Sequence, residues 1–483
     1  MPALLSPPEK SDARLYQKTA DAIAKLIERG TLRPGQRIPS VRRLSIQYRV
    51  SISTVLQAYQ KLESRGLIEA RPQSGYYVKL RLRPAPPEPA MSSPRGLPKA
   101  VSISEQVMRV VQAARDPRIV PLGAAVSSPD FLPMRQLNRI LGQMARLHPR
   151  LSHAYDFPPG SELLRIQVAR RAMEAGCVLG PEEIVTTCGA QEAINLCLRA
   201  VTKPGDTVAI ESPTFYGILQ SIEALHLRAL EIPTHPRTGI CLDALNAALR
   251  SSAVKVCLFS PNFNNPLGSC MPDASKQQLV KMLAERDIPL IEDDIYGELV
   301  FGAVRPKAAK SYDKRGLVML CSSFSKTLAP GYRVGWVAPG KFQADVERLK
   351  FVNTIGTATV PQLAVAEFLA NGGYDRHVRR IRRIYAEQVE HMTEAISRHF
   401  PAGTRVTRPA GGFVLWVELP AGCDAMDLHD AALSEKISIA PGPIFSASGK
   451  FKNCFRLNCG LPWSPELEKA VATLGKLAAR QLQ

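Results

Sequence analysis

The chain has 483 residues, too many for one compact core and enough for two or three domains. Hydrophobic residues make up 45% and charged residues 22%, an ordinary balance for a soluble globular protein, and no apolar run is long enough to span a bilayer. The net charge of +19 suits an anionic partner such as nucleic acid, or a solvated basic surface.

The 10 cysteines are scattered, with no C-x-x-C pair or Cys/His cluster, so neither a metal site nor a disulfide framework is expected. Met1 to Lys10 lacks the charged-then-apolar pattern of a secretion signal. A reducing cytoplasm is the simplest location.

Charge is concentrated at the start: residues 1–90 hold 16 Lys and Arg against 7 Asp and Glu. Residues 14–29 predict an amphipathic helix with Leu15, Thr19, Ala22, Ile23, Leu26 and Ile27 on one face, ended by Gly30. Pro34-Gly35 is a turn signal. Ser40 caps a short second helix, and a third runs from Ser51 to Arg65 with Val55, Tyr59 and Leu62 inward. Leu67–Arg71 and Tyr76–Lys79 flank Pro72-Gln73-Ser74-Gly75, a hairpin signal. Three helices and a hairpin in this length predict a winged helix-turn-helix, whose last helix would enter the major groove of double-stranded DNA, or else a small helical interaction module.

Residues 81–99 are crowded with proline and predict a semi-rigid linker between a domain over 12–80 and a second over 100–483. In that second domain, Val208–Ile210, Val256–Phe259, Leu290–Ile291 and Leu317–Leu320 read as buried strands separated by helix-length segments. That rhythm predicts an α/β domain with a mainly parallel sheet covered by helices. From about residue 370 it changes. A long basic helix near 374–399 precedes strand-like Gly412–Leu419, Ser438–Ala440 and Phe455–Leu457, predicting a small α+β subdomain.

Two sets of residues carry chemistry. Ser323-Phe324-Ser325-Lys326 places a lysine among hydroxyls after a buried strand, where a desolvated amine can join a carbonyl cofactor. Arg333 follows closely enough to clamp a phosphate, and Asp293, at an upstream strand end, could keep a pyridinium nitrogen protonated.

The N-terminal motifs Arg33-Pro34-Gly35-Gln36-Arg37-Ile38-Pro39-Ser40, Ser51-x-Ser53-Thr54-Val55 and Ala58-Tyr59-Gln60-Lys61-Leu62-Glu63 resemble the GntR family of bacterial regulators. The resemblance implies DNA contacts from Arg42, from Ser51, Ser53 and Thr54 at the recognition-helix start, and from Ser74 and Gly75 at the wing tip. Relatives often carry Arg where this chain has Ile52, which leaves that position to a thymine methyl or to packing.

From about residue 120 to 460 the chain resembles fold-type I pyridoxal-phosphate aminotransferases. Ala154-Tyr155-x-x-Pro158-x-Gly160, Thr187-Cys188-Gly189-Ala190-Gln191-Glu192, Pro261-Asn262-x-Asn264-Asn265-Pro266, Asp293-x-x-Tyr296, Ser323-x-Ser325-Lys326, Arg333 and Phe455-Arg456-Leu457-Asn458 occur in the expected order. That resemblance makes Lys326 the lysine linked to pyridoxal 5'-phosphate. It implies that Asp293 pairs with the pyridine nitrogen, and that Asn265 and Tyr296 bond the phenolic oxygen. Gly189, Ala190, Ser323, Ser325 and Arg333 would hold the phosphate, and Phe215 would stack on the ring. Tyr155 would reach the phosphate of a second subunit, which requires a homodimer. Arg456 would take a substrate or effector carboxylate, with Gly123 close to the substrate.

A GntR-like reader followed by an aminotransferase-like domain resembles the MocR subfamily. That implies a regulator sensing an amino acid or amine. The alternatives are a dual-function protein with aminotransferase activity and an architectural DNA-binding dimer whose cofactor only stabilises the fold.

Overall fold

The computed structural model describes residues 15–28, 31–32, 35–71, 74–79, 85–113, 116, 118–371 and 373–483. Met1–Lys10, Gly30, Arg33-Pro34, Pro72-Gln73 and residues 80–84, all used in the sequence reading, lie outside the described residues. The chain forms two compact units, Met1–Ala85 and Pro86–Gln483.

The first unit packs α1 (Leu15–Glu28), α2 (Val41–Tyr48) and α3 (Ile52–Ser64) with strands β1 (Ile68–Arg71) and β2 (Gly75–Val78). The strands pair antiparallel, Ile68 opposite Val78 and Arg71 opposite Gly75. Ile23, Leu44, Val55, Tyr59 and Leu62 are buried together, as the helical spacing requires. The Tyr59 hydroxyl donates to the Pro39 carbonyl, fixing the chain before α2. Ser40 and Ser51 cap their helices by accepting from the Arg43 and Thr54 N–H groups.

The second unit is built on a nine-stranded mixed sheet. Arg228–His235, Thr207–Ser212, Val254–Phe259, Leu290–Asp293 and Val318–Ser323 run parallel in that spatial order. Gly335–Ala338 pairs antiparallel to Val318–Ser323, and Val185–Thr187 antiparallel to Gly335–Ala338. The parallel strands are buried almost throughout, which explains their continuous apolar runs.

A four-stranded antiparallel sheet carries Arg405–Val406, Val414–Glu418, Cys454–Asn458 and Ala440–Pro441. It shares a core with the helices Gly373–His399 and Pro465–Arg480. The predicted strand Ser438–Ala440 divides between two sheets. Ile437–Ser438 pairs parallel to Val120–Pro121, while Ala440–Pro441 joins the four-stranded sheet.

Within the proline-rich stretch, residues from Pro86 onward hydrogen-bond to this unit. Glu88 accepts from the Arg237 side chain and the Arg408 backbone, Pro87 from Val406, and Ser92 donates to the Ser212 carbonyl.

Candidate functional site

In the first unit none of the predicted DNA residues is buried. Arg42, Ser51 and Ser53 are exposed, and Thr54, Ser74 and Gly75 are half-buried. Ser51 Oγ lies 2.8 Å from Ser53 Oγ and 2.7 Å from Thr54 Oγ1, so three hydroxyls cluster at the positive end of the α3 dipole. Ile52 is 50% exposed, so it does not pack in the core and its methyls face solvent. The wing adds a residue that sequence reasoning left out. A side chain at Gly75 (φ +103°) would meet the Arg37 guanidinium at 3.3 Å, so Arg37 lies against the wing tip. Ser51→Ala is expected to cost about 1 kcal/mol of this unit's stability by freeing the Thr54 N–H, read by denaturant unfolding.

In the second unit, Gly123, Ala190, Phe215, Asn265, Asp293, Tyr296, Ser323, Ser325, Lys326 and Arg333 all line one cavity of about 450 Å³. Asp293 ends a central strand, Lys326 follows the next one, and Ala190 begins the helix Ala190–Val201. The carboxyl ends of adjacent parallel strands therefore converge on this cavity.

Lys326 Nζ donates to the Ala125 carbonyl at 2.6 Å. Burial, together with the Arg456 charge, lowers its pKa to about 8. Asp293 accepts from the Ile295 N–H, and burial pushes its carboxyl up to about 7. A cation facing it would lower that pKa and favour the ionised form.

The Tyr296 hydroxyl is buried and has no hydrogen-bond partner among the described residues. Arg333, in the left-handed region (φ 52°), donates to the Cys188 carbonyl at 2.8 Å and approaches Ser325 Oγ at 3.5 Å. A Cβ on Gly189 (φ +88°) would meet the Arg333 guanidinium at 2.5 Å, and one on Gly335 would meet the Gly189 backbone at 2.6 Å. These glycines hold the arginine, two serines and the start of the Ala190–Val201 helix close together, a cradle suited to a phosphate. Gly335→Ala is expected to cost about 1–3 kcal/mol by wedging two backbones apart, and to weaken phosphate binding. Thermal unfolding with and without inorganic phosphate reads both effects.

Arg456 is fully buried on the strand Cys454–Asn458. It donates to Asn265 Oδ1 at 2.9 Å and to the Gly123 carbonyl, and its Nε has no hydrogen-bond partner among the described residues. The Tyr216 and Phe445 rings lie 5.7 and 5.1 Å from its guanidinium carbon. Among the described residues no carboxylate stands within ion-pair distance of it.

Tyr155 does not join this cavity. It is 73% exposed and stacks on Phe157 at 5.8 Å. Sequence reasoning missed Ala125, Tyr216 and Phe445, and also a buried polar layer behind the lysine. The Thr327 carbonyl lies 2.6 Å from His377 Nε2, and the Thr327 hydroxyl 3.0 Å from the Tyr374 hydroxyl. Tyr374 also donates to Glu298, which pairs with Arg171 at 2.8 Å. Burial lowers the His377 pKa to about 4, so this imidazole is neutral. The signal available in sequence was only the inward spacing of Tyr374 and His377 on a long helix.

A buried tyrosine hydroxyl, a buried carboxyl, an amine whose pKa is lowered toward neutrality and a phosphate cradle fit pyridoxal 5'-phosphate group by group.

Comparison with known proteins agrees. The model for bacterial regulatory proteins of the gntR family matches residues 15–78, and that for aminotransferase class I and II matches residues 129–474. The chain is 43% identical to the uncharacterized HTH-type transcriptional regulator YdcR of Escherichia coli, over 97% of this chain and 99% of that protein. It is 28% identical to the HTH-type transcriptional regulator NorG of Staphylococcus aureus, over 86% of this chain and 93% of that protein. Among solved structures, the LysN α-aminoadipate aminotransferase of Thermus thermophilus, complexed with N-(5'-phosphopyridoxyl)-L-leucine, superposes with a TM-score of 0.71. Its identity is 28% over 79% of this chain and 99% of that one. The multiple substrate aminotransferase of Thermococcus profundus gives a TM-score of 0.73 at 26% identity, over 78% and 96% of the two chains. The chain therefore belongs to the MocR subfamily of GntR-type transcription regulators, in which a DNA-binding winged helix is joined to an aminotransferase-like domain.

Proposed function

We propose that the chain acts as a homodimeric, pyridoxal-phosphate-holding regulator whose second unit senses an amino acid and whose winged helices grip a two-part operator in the cytoplasm. The observation that carries the sensing role is Arg456, a fully buried cation with an unpartnered Nε and no carboxylate of its own, bonded to the cavity residues Asn265 and Gly123. A ligand carboxylate supplies the missing counter-charge.

Pyridoxal phosphate supplies an aldehyde that neutral amines condense with and a ring that draws in electrons. With that group bound, Lys326 would offer the chain's own amine to it, and Arg456 would anchor a ligand whose amine could take the lysine's place. Asp293 would keep a proton on the ring nitrogen, Tyr296 would donate to the phenolic oxygen, and Phe215 would cover the ring. Arg333, Ser323, Ser325 and the N–H groups of Gly189 and Ala190 would hold the phosphate. Thr327, next to Lys326, is bonded to Tyr374 and His377 on the Gly373–His399 helix, so movement of the lysine segment reaches the C-terminal subdomain.

A second subunit is supported by an exposed apolar strip. Leu151, Tyr155, Phe157, Phe351 and Val352 are each more than half exposed. Phe157 bridges Tyr155 and Phe351 at 5.8 and 5.9 Å. Dimerisation makes two winged helices available at once, so their spacing selects half-sites.

Arg42→Glu in the full chain is expected to abolish retention of duplex DNA in a mobility shift, with the cofactor's visible absorbance unchanged. Retained binding would overturn the placement of the DNA face.

Aminotransferase turnover is a second reading. An amine with its pKa near 8 suits a proton shuttle at neutral pH. Keto acid accumulating over many turnovers would favour it.

A further inference from the structure

The α3 helix holds no Asp, Glu, Lys or Arg over residues 52–60. Its two charged residues come later and face other elements. The Lys61 ammonium lies over the Tyr16 ring of α1, 6.0 Å from the centroid, and Glu63 Oε1 accepts from the Ala70 N–H of β1 at 3.0 Å. The solvent face of residues 52–60 is therefore neutral. Ile52, Ser53, Leu56, Gln57 and Gln60 are exposed along it, at spacings that form one helical stripe.

Two members of that stripe are apolar. Ile52 is 50% and Leu56 39% exposed, one turn apart, whereas Val55, Ala58, Tyr59 and Leu62 of the same helix are buried. Such exposed side chains add little burial to the fold. The cations belong to α2 instead: Arg42 and Arg43 are exposed in its first turn, and Arg49 just past its end.

This composition limits what α3 reads. In the major groove guanine is recognised chiefly by Arg or Lys, adenine by the amide of Asn or Gln, and thymine by apolar contact with its methyl group. The stripe offers two amides and two branched apolar side chains, and no cation. The rise from Ile52 to Gln60 is about 12 Å, the height of three to four stacked base pairs.

We propose that α3 reads A·T base pairs, with Ile52 and Leu56 against thymine methyl groups and Gln57 and Gln60 on adenine edges. The centre of each half-site is then a run of about three or four A·T pairs. Arg42, Arg43, Arg49 and the Ser51, Ser53 and Thr54 hydroxyls supply phosphate contacts, which fix the helix without reading sequence. A duplex groove gives every part of this surface a partner, whereas an apolar protein surface would leave the amides and arginines without one. The helix also stands at the recognition position of the matched gntR-family segment, residues 15–78. The inference rests on the DNA-binding reading above and adds which bases are read.

The test uses the full chain to select duplexes from a pool with about 30 randomised base pairs, enough for two half-sites a helical turn apart. Affinity is then measured for the recovered sequence with thymine or with uracil in the half-site run. Uracil pairs as thymine does and lacks only the methyl group. The recovered half-sites are expected to share an A·T run, and uracil to weaken wild-type binding by roughly fourfold for each contacted methyl. Leu56→Ala should weaken binding to the thymine duplex and lose part of the sensitivity to uracil, a coupling that a merely structural residue does not show. I52R should move one recovered position from A·T to G·C. Both side chains are exposed, so the variants' thermal midpoints should match the wild type's, which separates lost contacts from lost folding.

Half-sites centred on G·C pairs, no shared sequence, or uracil duplexes bound as tightly as thymine ones would each overturn the inference. An unchanged recovered sequence in I52R, with a weakened dimer, would make the apolar pair a contact between copies and overturn it likewise. Failure of the wild type to bind any duplex would overturn the DNA-binding reading itself, and this inference with it.

Discussion

Lys326→Ala is expected to abolish covalent retention of pyridoxal phosphate. After dialysis the visible absorbance should fall to background, and borohydride treatment should leave the chain's mass unchanged. The geometry makes this lysine unusually ready to react. Burial and the nearby Arg456 charge bring its pKa to about 8. At pH 7.5 about a quarter of such an amine is neutral, against roughly a thousandth of an ordinary lysine. Covalent capture by the wild type should accordingly reach half its maximum near pH 8 and level off above about pH 9, because only the deprotonated amine reacts. The fold should tolerate the change. Alanine loses one hydrogen bond to the Ala125 carbonyl, worth about 1 kcal/mol, but also removes an amine that burial disfavours. Absorbance surviving dialysis would show that the phosphate cradle alone retains the cofactor and that Lys326 has been given the wrong role.

Arg456→Leu should separate amino acids from simple amines. Removing one partner of a buried, hydrogen-bonded charge pair costs about 2–5 kcal/mol. The wild-type response to amino acids, read as a change in the visible spectrum, should therefore weaken by roughly 30-fold or more. Amines without a carboxylate never use this contact and should change only a few-fold. Without ligand the leucine variant should be about as stable as the wild type, or more so, since an uncompensated buried cation is gone. Equal losses for both ligand classes would make Arg456 a structural residue that supports Asn265 and Gly123.

Much of this was legible in the sequence because the signals are local. Ser40 and Ser51 mark helix starts through a hydroxyl three residues from the N–H it caps. The residues around Asp293 and Lys326 are strand-end motifs, and the parallel sheet aligns those ends, so a linear order of motifs becomes one cavity.

Contacts across long separations left no pattern to read. Ala125 and Lys326 are 201 residues apart, and only the folded chain joins them. Tyr216 and Phe445 reach Arg456 from different elements, and neither carries a charge that would have announced a partner. The division of Ser438–Ala440 between two sheets escaped for a related reason. Three apolar and small residues look like one short strand, and hydrogen-bond partners decide otherwise.

The polar layer behind Lys326 bears most directly on regulation. His377 is a neutral imidazole bonded to the Thr327 carbonyl, and Tyr374 ties the Thr327 hydroxyl to Glu298. Lys326 is therefore linked to the long helix through hydrogen bonds made by its neighbour Thr327. A ligand influences DNA binding only if it favours one arrangement of that connection over another.

That requirement gives the decisive measurement. The affinity of the pyridoxal-phosphate-loaded full chain for its operator duplex is determined with and without each member of a panel of amino acids and simple amines, with keto acid assayed in the same samples. An amino acid which changes the visible spectrum is expected also to shift DNA affinity by about 5- to 150-fold, without sustained keto acid production. Spectral change with unaltered DNA affinity would contradict it.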